Sequence, residues 1–256
     1  MRPDARQRID ELADDLVVLD VGGWAAPLWR ADWVVDLLPY ETRGLYGAAD
    51  PDRERFSADT WVQADICGPD PWPFEDDQFD VVICSHTLED VRDPVFVCAE
   101  LQRVSRSGYV ELPTAVEELT FGVQGPWVGW SHHRWIGEWD GGELVLTHKP
   151  HLLAAPGRHL PTGTHEAVPA DDRTIAFWWE DEVRARERVL VDADEFDGWL
   201  GGLLAACAAQ AGIEAPQPDA PGTASGGRLA LRRKGRLRQM RGALGHRASR
   251  WRDGRR

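Results

Sequence analysis

Five short apolar runs, three of them with an aspartate next to last, constrain this chain most. They are "VVLDV" (17–21), "WVVDL" (33–37), "WVQADI" (61–66), "FDVVIC" (79–84) and "GYVELP" (108–113). Their apolar residues run on rather than alternate, as in strands covered on both faces. Before the last run, Val95, Cys98, Leu101 and Val104 recur at helical spacing within 95–105. A further polar helix is expected over 4–14. Strands interleaved with helices specify a mostly parallel α/β sheet.

The rest of the chain is less regular. "GELVLTH" (142–148) and "TIAFWWE" (174–180) read as strands, with an irregular Pro/Gly/His-rich connection over 149–173. Residues 194–212 read as an amphipathic helix with Asp194 as N-cap and Gly212 as its stop. "EAPQPDAPGTASGG" (214–227) has linker composition. The final stretch, 228–256, holds 12 Lys/Arg against one acid, so residues 1–227 carry −25 of a whole-chain charge of −14. The expected organisation is one domain over 1–213, with an insertion at 113–141, then a linker and a helical or disordered basic tail.

An acidic body disfavours binding a nucleic-acid backbone by bulk charge. The tail, with Leu237, Met240 and Leu244 at helical spacing among arginines, suits an anionic membrane surface or a nucleic acid. No apolar run of about 18 residues exists, so no transmembrane segment is expected. The charged start lacks the apolar core of a secretion signal. Cys67, Cys84, Cys98 and Cys207 have neither metal-type nor redox-type spacing, which fits a reducing, cytoplasmic setting.

Parallel sheets bind ligands beyond the carboxyl ends of their strands. Three such ends carry suitable groups. Asp20 precedes Gly22 and Gly23, whose missing side chains admit a close ligand. Asp36, 16 residues on and followed by Leu37, is placed to accept both hydroxyls of a ribose. Asp65 and Ile66 offer an acceptor for an exocyclic amine and an apolar surface for a purine.

After the fourth run comes "SHTLEDVRDP" (85–94). Together with "VLDVGG", "VVDL", "QADI" and "LQRVSRSGYVELP", in this order over residues 15–113, it resembles class I S-adenosylmethionine-dependent methyltransferases. The resemblance implies a Rossmann-like, doubly wound, seven-stranded sheet with one antiparallel strand. It implies S-adenosylmethionine as cofactor. Asp20, Gly22 and Gly23 would line its methionine part, Asp36 its ribose and Asp65 with Ile66 its adenine. Ser85 and His86 would close the site near the sulfonium, with Glu89 on the following helix. One departure stands out. Only 11 residues, 22–32, separate the first two runs, and they contain Pro27 and carry Trp24 where a third glycine is usual. A full helix does not fit there.

"GWSHHRWIGEW" (129–139) is the other dense cluster. His132 and His133, with His86, are the candidate catalytic residues. Arg134 and the tryptophans 127, 130, 135 and 139 would form an aromatic acceptor wall. Two adjacent histidines make a poor metal pair without a further ligand, and no metal is expected. The expected function is methyl transfer to a small-molecule or glycan-like acceptor. The alternative is an inactive scaffold whose tail docks it to a membrane or partner. A nicotinamide oxidoreductase is disfavoured by the missing third glycine and the lack of a Tyr-x-x-x-Lys pair. The sequence does not define an oligomeric state.

Overall fold

The computed structural model describes residues 1–217. The expected tail, 228–256, and the expected linker beyond Gln217 lie outside them. In chain order the regular elements are α1 (Pro3–Asp10), β1 (Val18–Val21), β2 (Trp33–Asp36), β3 (Trp61–Gln63), β4 (Val81–Ser85), α2 (Pro94–Val104), β5 (Ser107–Pro113) and α3 (Ala115–Leu119). There follow β6 (Trp135–Asp140), β7 (Glu143–His148), β8 (Thr174–Glu180), β9 (Ala185–Arg188) and α4 (Ala193–Ala211).

The main sheet has six strands in the order β3-β2-β1-β4-β5-β8, and β8 alone runs antiparallel. The mostly parallel sheet with one antiparallel strand is as expected; the described residues supply six strands to it. Three more, β6, β7 and β9, form a second sheet. The main sheet is covered on both faces, as its unbroken apolar strands require. Leu19, Val21, Val82 and Cys84 face one core, where α2 contributes Val97, Leu101 and Val104. Val18, Val34, Ile83 and Tyr109 face the other, where α1 contributes Ala5 and Ile9. Each Leu, Ile or Val so buried contributes ~1.5–3 kcal/mol.

Local chemistry sets the helix ends. Asp93 caps α2 by accepting from Phe96 N–H at 2.9 Å, with Pro94 at the first helical position. α4 is capped by Asp192, not the expected Asp194, through Glu195 N–H at 2.8 Å, and it ends on Gly212 at φ 68°. α1 stops at Asp10, short of the expected Asp14. β6 and β7 form an unexpected hairpin across Gly141 and Gly142, at φ 59° and 91°. Two positive φ values give a type I′-like turn, a conformation glycine adopts freely.

The crossover from β1 to β2 contains no helix. It is held by buried polar groups instead. Asp20 Oδ2 accepts from Leu28 N–H at 2.9 Å. Arg30, only 2% exposed, donates to the carbonyls of Ala13 at 2.6 Å and Leu16 at 3.2 Å. Because β1 and β2 pair in parallel, their carboxyl ends lie on the same side.

Candidate functional site

Beyond the carboxyl ends of β1, β2 and β4 lies a crevice of about 610 Å³. That is the size range of small-molecule sites. Gly22, Asp36, Leu37, Asp65, Ile66 and His86 all line it. Asp36 ends β2 and is nearly buried. Its Oδ1 accepts from Leu38 N–H at 2.8 Å and its Oδ2 from Trp24 N–H at 3.0 Å. Burial pushes this carboxyl above the usual carboxylate range, against the pull of those amides. Asp65 lies two residues past the end of β3, in a turn rather than in the expected strand. It accepts from Cys67 N–H at 2.9 Å and pairs with Arg92 at 3.1 Å. The Cys67 amide, together with Arg92, holds its carboxyl below the usual range despite slight desolvation.

The first loop serves the chain before any ligand. Gly22 sits at φ 77°, and a Cβ there would overlap the Thr87 hydroxyl. A Cβ at Gly23 would overlap the Asp20 carboxylate. Asp20 itself turns inward and lines a smaller neighbouring cavity of about 180 Å³ with Gly23, Ser85 and Arg6. Burial pushes the Asp20 carboxyl up to about 7. Trp24 borders the crevice without filling it: its indole N–H donates to Thr42 Oγ1 at 3.0 Å.

His86 stands at the join of these cavities. Its φ of 54° is unusual for a side-chain-bearing residue and marks a tight turn off β4. Its Nε2 bonds Glu111 Oε1 at 2.9 Å, and its Nδ1 lies 3.3 Å from Glu89 Oε1. Desolvation opposes the charged ring, but Glu111 and Glu89 outweigh it and raise its pKa to about 9. Glu111, desolvated on β5 but bonded by His86, the Tyr109 hydroxyl and the Arg2 amide, falls to about 2. At neutral pH the pair is an imidazolium and a carboxylate. Glu89 lies in a turn, not on the expected helix, which begins only at Pro94.

A second cavity, about 420 Å³, shares Ala25, Leu45, His86, Asp90 and His132 with the crevice. Glu89, Glu117, Trp130, His133 and Arg173 complete much of its wall. The 129–134 segment reaches it because Arg134 N–H bonds Glu89 O at 2.6 Å and the Trp135 indole donates to Val91 O at 2.8 Å. His133 is pinned: its Nδ1 meets Glu118 Oε1 at 2.5 Å, and Lys149 holds Glu118 Oε2 at 2.7 Å. The Glu118 partnership raises the His133 pKa in spite of desolvation. The expected aromatic wall is mostly absent. Trp130 lines the cavity and stacks on His133, but Trp135 is in the core and Trp139 packs on Phe177 with centroids 4.3 Å apart. Sequence reading missed Asp90, Arg92, Glu117 and Arg173. Asp90 and Arg92 lie inside the quoted 85–94 segment, but nothing local shows what they face.

A family model described as a methyltransferase domain matches residues 43–110. The match spans β3, β4, α2 and most of β5, and begins after the shortened first loop. No curated protein matches the chain. Among solved structures, the YcgJ protein from Bacillus subtilis is similar at 20% identity, with 43% of this chain and 50% of that one covered and a TM-score of 0.33. A SAM-dependent methyltransferase from Aquifex aeolicus is similar at 15% identity, with 44% and 64% covered and a TM-score of 0.31. An S-adenosylmethionine-dependent methyltransferase from Mesorhizobium loti is similar at 18% identity, with 60% and 66% covered and a TM-score of 0.34. The chain thus spans between half and two thirds of these structures' lengths.

Proposed function

We propose, from the methyltransferase-domain match over residues 43–110, that this chain transfers a methyl group from S-adenosylmethionine to a small-molecule or glycan-like acceptor. One observation carries the reading. Asp36 and the Asp65–Ile66 pair, from separate connections, border one crevice, and that crevice meets a second cavity at His86, Asp90 and His132. The first cavity suits the cofactor and the second the acceptor.

The residues fit the cofactor. Each Asp36 oxygen accepts one amide and keeps a lone pair for a ribose hydroxyl. Asp65 and Ile66 offer an acceptor and an apolar surface for adenine. The methionine end would pass over Gly22 toward Ser85 and Arg6, whose Nη1 is buried without a hydrogen-bond partner. A guanidinium there would take a carboxylate, in place of the helix N-terminus that the short crossover lacks. When bound, the cofactor supplies a methyl group on a sulfonium, an already activated leaving group. The chain then needs chiefly to orient the acceptor and exclude water.

His86 shapes this site rather than acting as a base. Both ring nitrogens face carboxylates and the ring is held protonated. The acceptor-side work falls to His132 and His133 with Asp90. The four cysteines are free and buried, which supports a reducing, cytoplasmic setting. Among the described residues no helix is long and apolar enough to cross a membrane. The basic tail is the proposed contact for an anionic membrane or nucleic acid.

The second reading, a scaffold with a nucleoside site and no activity, is favoured by the helix-free crossover. Calorimetry with S-adenosylmethionine and with NAD, followed by labelled methyl transfer to fractionated small-molecule extract, separates the readings. Binding of the first ligand with transfer of label supports the enzyme. Binding without transfer leaves the scaffold, and preference for NAD overturns both.

A further inference from the structure

The geometry assigns a divalent-cation site to Asp90, His132 and His133, on the wall of the second cavity. Adjacent histidines alone make a poor ligand pair. The fold supplies the missing donor by laying the 129–134 segment against the turn after β4. One ligand atom from each residue lies within 4.8 Å of the others. His133 Nε2 is 3.8 Å from Asp90 Oδ1, and His132 Nε2 is 4.0 Å from Asp90 Oδ2. These separations are too long for hydrogen bonds. They are near the ~3.4 Å between donors sharing one tetrahedral ion at about 2.1 Å bond lengths. His132 is about half exposed and Asp90 partly so, which gives both room to close the difference.

Two independent features point to a cation. Glu89, 1% exposed and lining the cavity, makes no hydrogen bond of good geometry among the described residues, and it shares the His86 ring, 3.3 Å from its Oε1, with Glu111. Asp90 Oδ1 is buried and equally without a donor. Buried carboxylate oxygens are costly unless something positive faces them. The second feature is the pinning of His133. Its Nδ1 bonds Glu118, itself locked by Lys149, so the ring is turned with Nε2 toward Asp90. A histidine held through its far nitrogen by a carboxylate is the usual support of a metal ligand.

Two imidazoles and one carboxylate suit a borderline transition ion such as Zn²⁺. Three protein donors leave a coordination position open, as in metal sites that bind a substrate. If the methyltransferase reading holds, that position would take an oxygen of the acceptor. The cation site itself does not depend on that reading.

The test uses the full chain, stripped with chelator and titrated calorimetrically with Zn²⁺ alone. One equivalent should bind. His132→Ala and Asp90→Asn should each weaken binding at least ~10-fold, and Glu118→Gln by ~10–100-fold through loss of the supporting bond. The first two alter partly exposed side chains, so their circular dichroism should match that of the unaltered chain. Asp36→Ala should take up Zn²⁺ normally. No stoichiometric uptake, or uptake unchanged in both His132→Ala and Asp90→Asn, would overturn the site. Separate titration with S-adenosylmethionine keeps the two proposals apart: loss of either binding event leaves the other standing.

Discussion

At the scale of single residues, buried charge is what this chain manages most. Asp20 is 5% exposed and has its carboxyl raised to about 7 by burial, with Asp36 adding and the Leu28 amide and Arg6 opposing. Its folded pKa stands above the ordinary value of 3.8. The native state therefore binds its proton more tightly than the unfolded chain does. Its contribution to stability is full below about pH 4 and is lost as pH rises through about 7. Urea unfolding should show the difference between the original chain and Asp20→Asn drifting by up to ~1.4 kcal/mol per pH unit across that window. Parallel pH profiles would show that Asp20 ionises normally. Gly22→Ala belongs to the same scale. A left-handed φ and overlap with Thr87 should destabilise the fold by ~1–3 kcal/mol, read as a lower urea midpoint.

At the scale of elements, legibility followed burial. β1, β2, β4 and β5 were readable because strands covered on both faces carry unbroken apolar runs. β9, "ARER", has no apolar signature and takes its place by pairing with β7. β6 was missed although Gly141-Gly142 marks a hairpin, because its aromatics read as a ligand wall. The site followed the same logic. Asp36, Asp65, Ile66 and His86 were legible as residues at or just past strand ends. The approach of Asp90 to His132 and His133 was not, since it depends on a long-range fold-back of the 129–134 segment. The β1–β2 crossover carries a further prediction. Arg30 ties it to two carbonyls and to Asp32, so Arg30→Ala should lower unfolding free energy by ~2–4 kcal/mol. A change under ~0.5 kcal/mol would mean the crossover is held by other contacts.

At the scale of the whole molecule, the acidic body and the basic tail are proposed to be separate in function. The cores close within the described residues, 1–217. Deleting 228–256 should leave the thermal midpoint unchanged and lower retention on anionic phospholipid vesicles. Equal retention would make the tail a bystander. The body's proposed purpose, a cofactor crevice built without the usual first helix, rests on Asp36 more than on any other side chain. Titrating S-adenosylmethionine into the full chain and into Asp36→Ala tests it most directly. The account predicts one-to-one binding, weakened by ~1.5–3 kcal/mol in the variant. Absent binding, or equal affinity in both proteins, would contradict it.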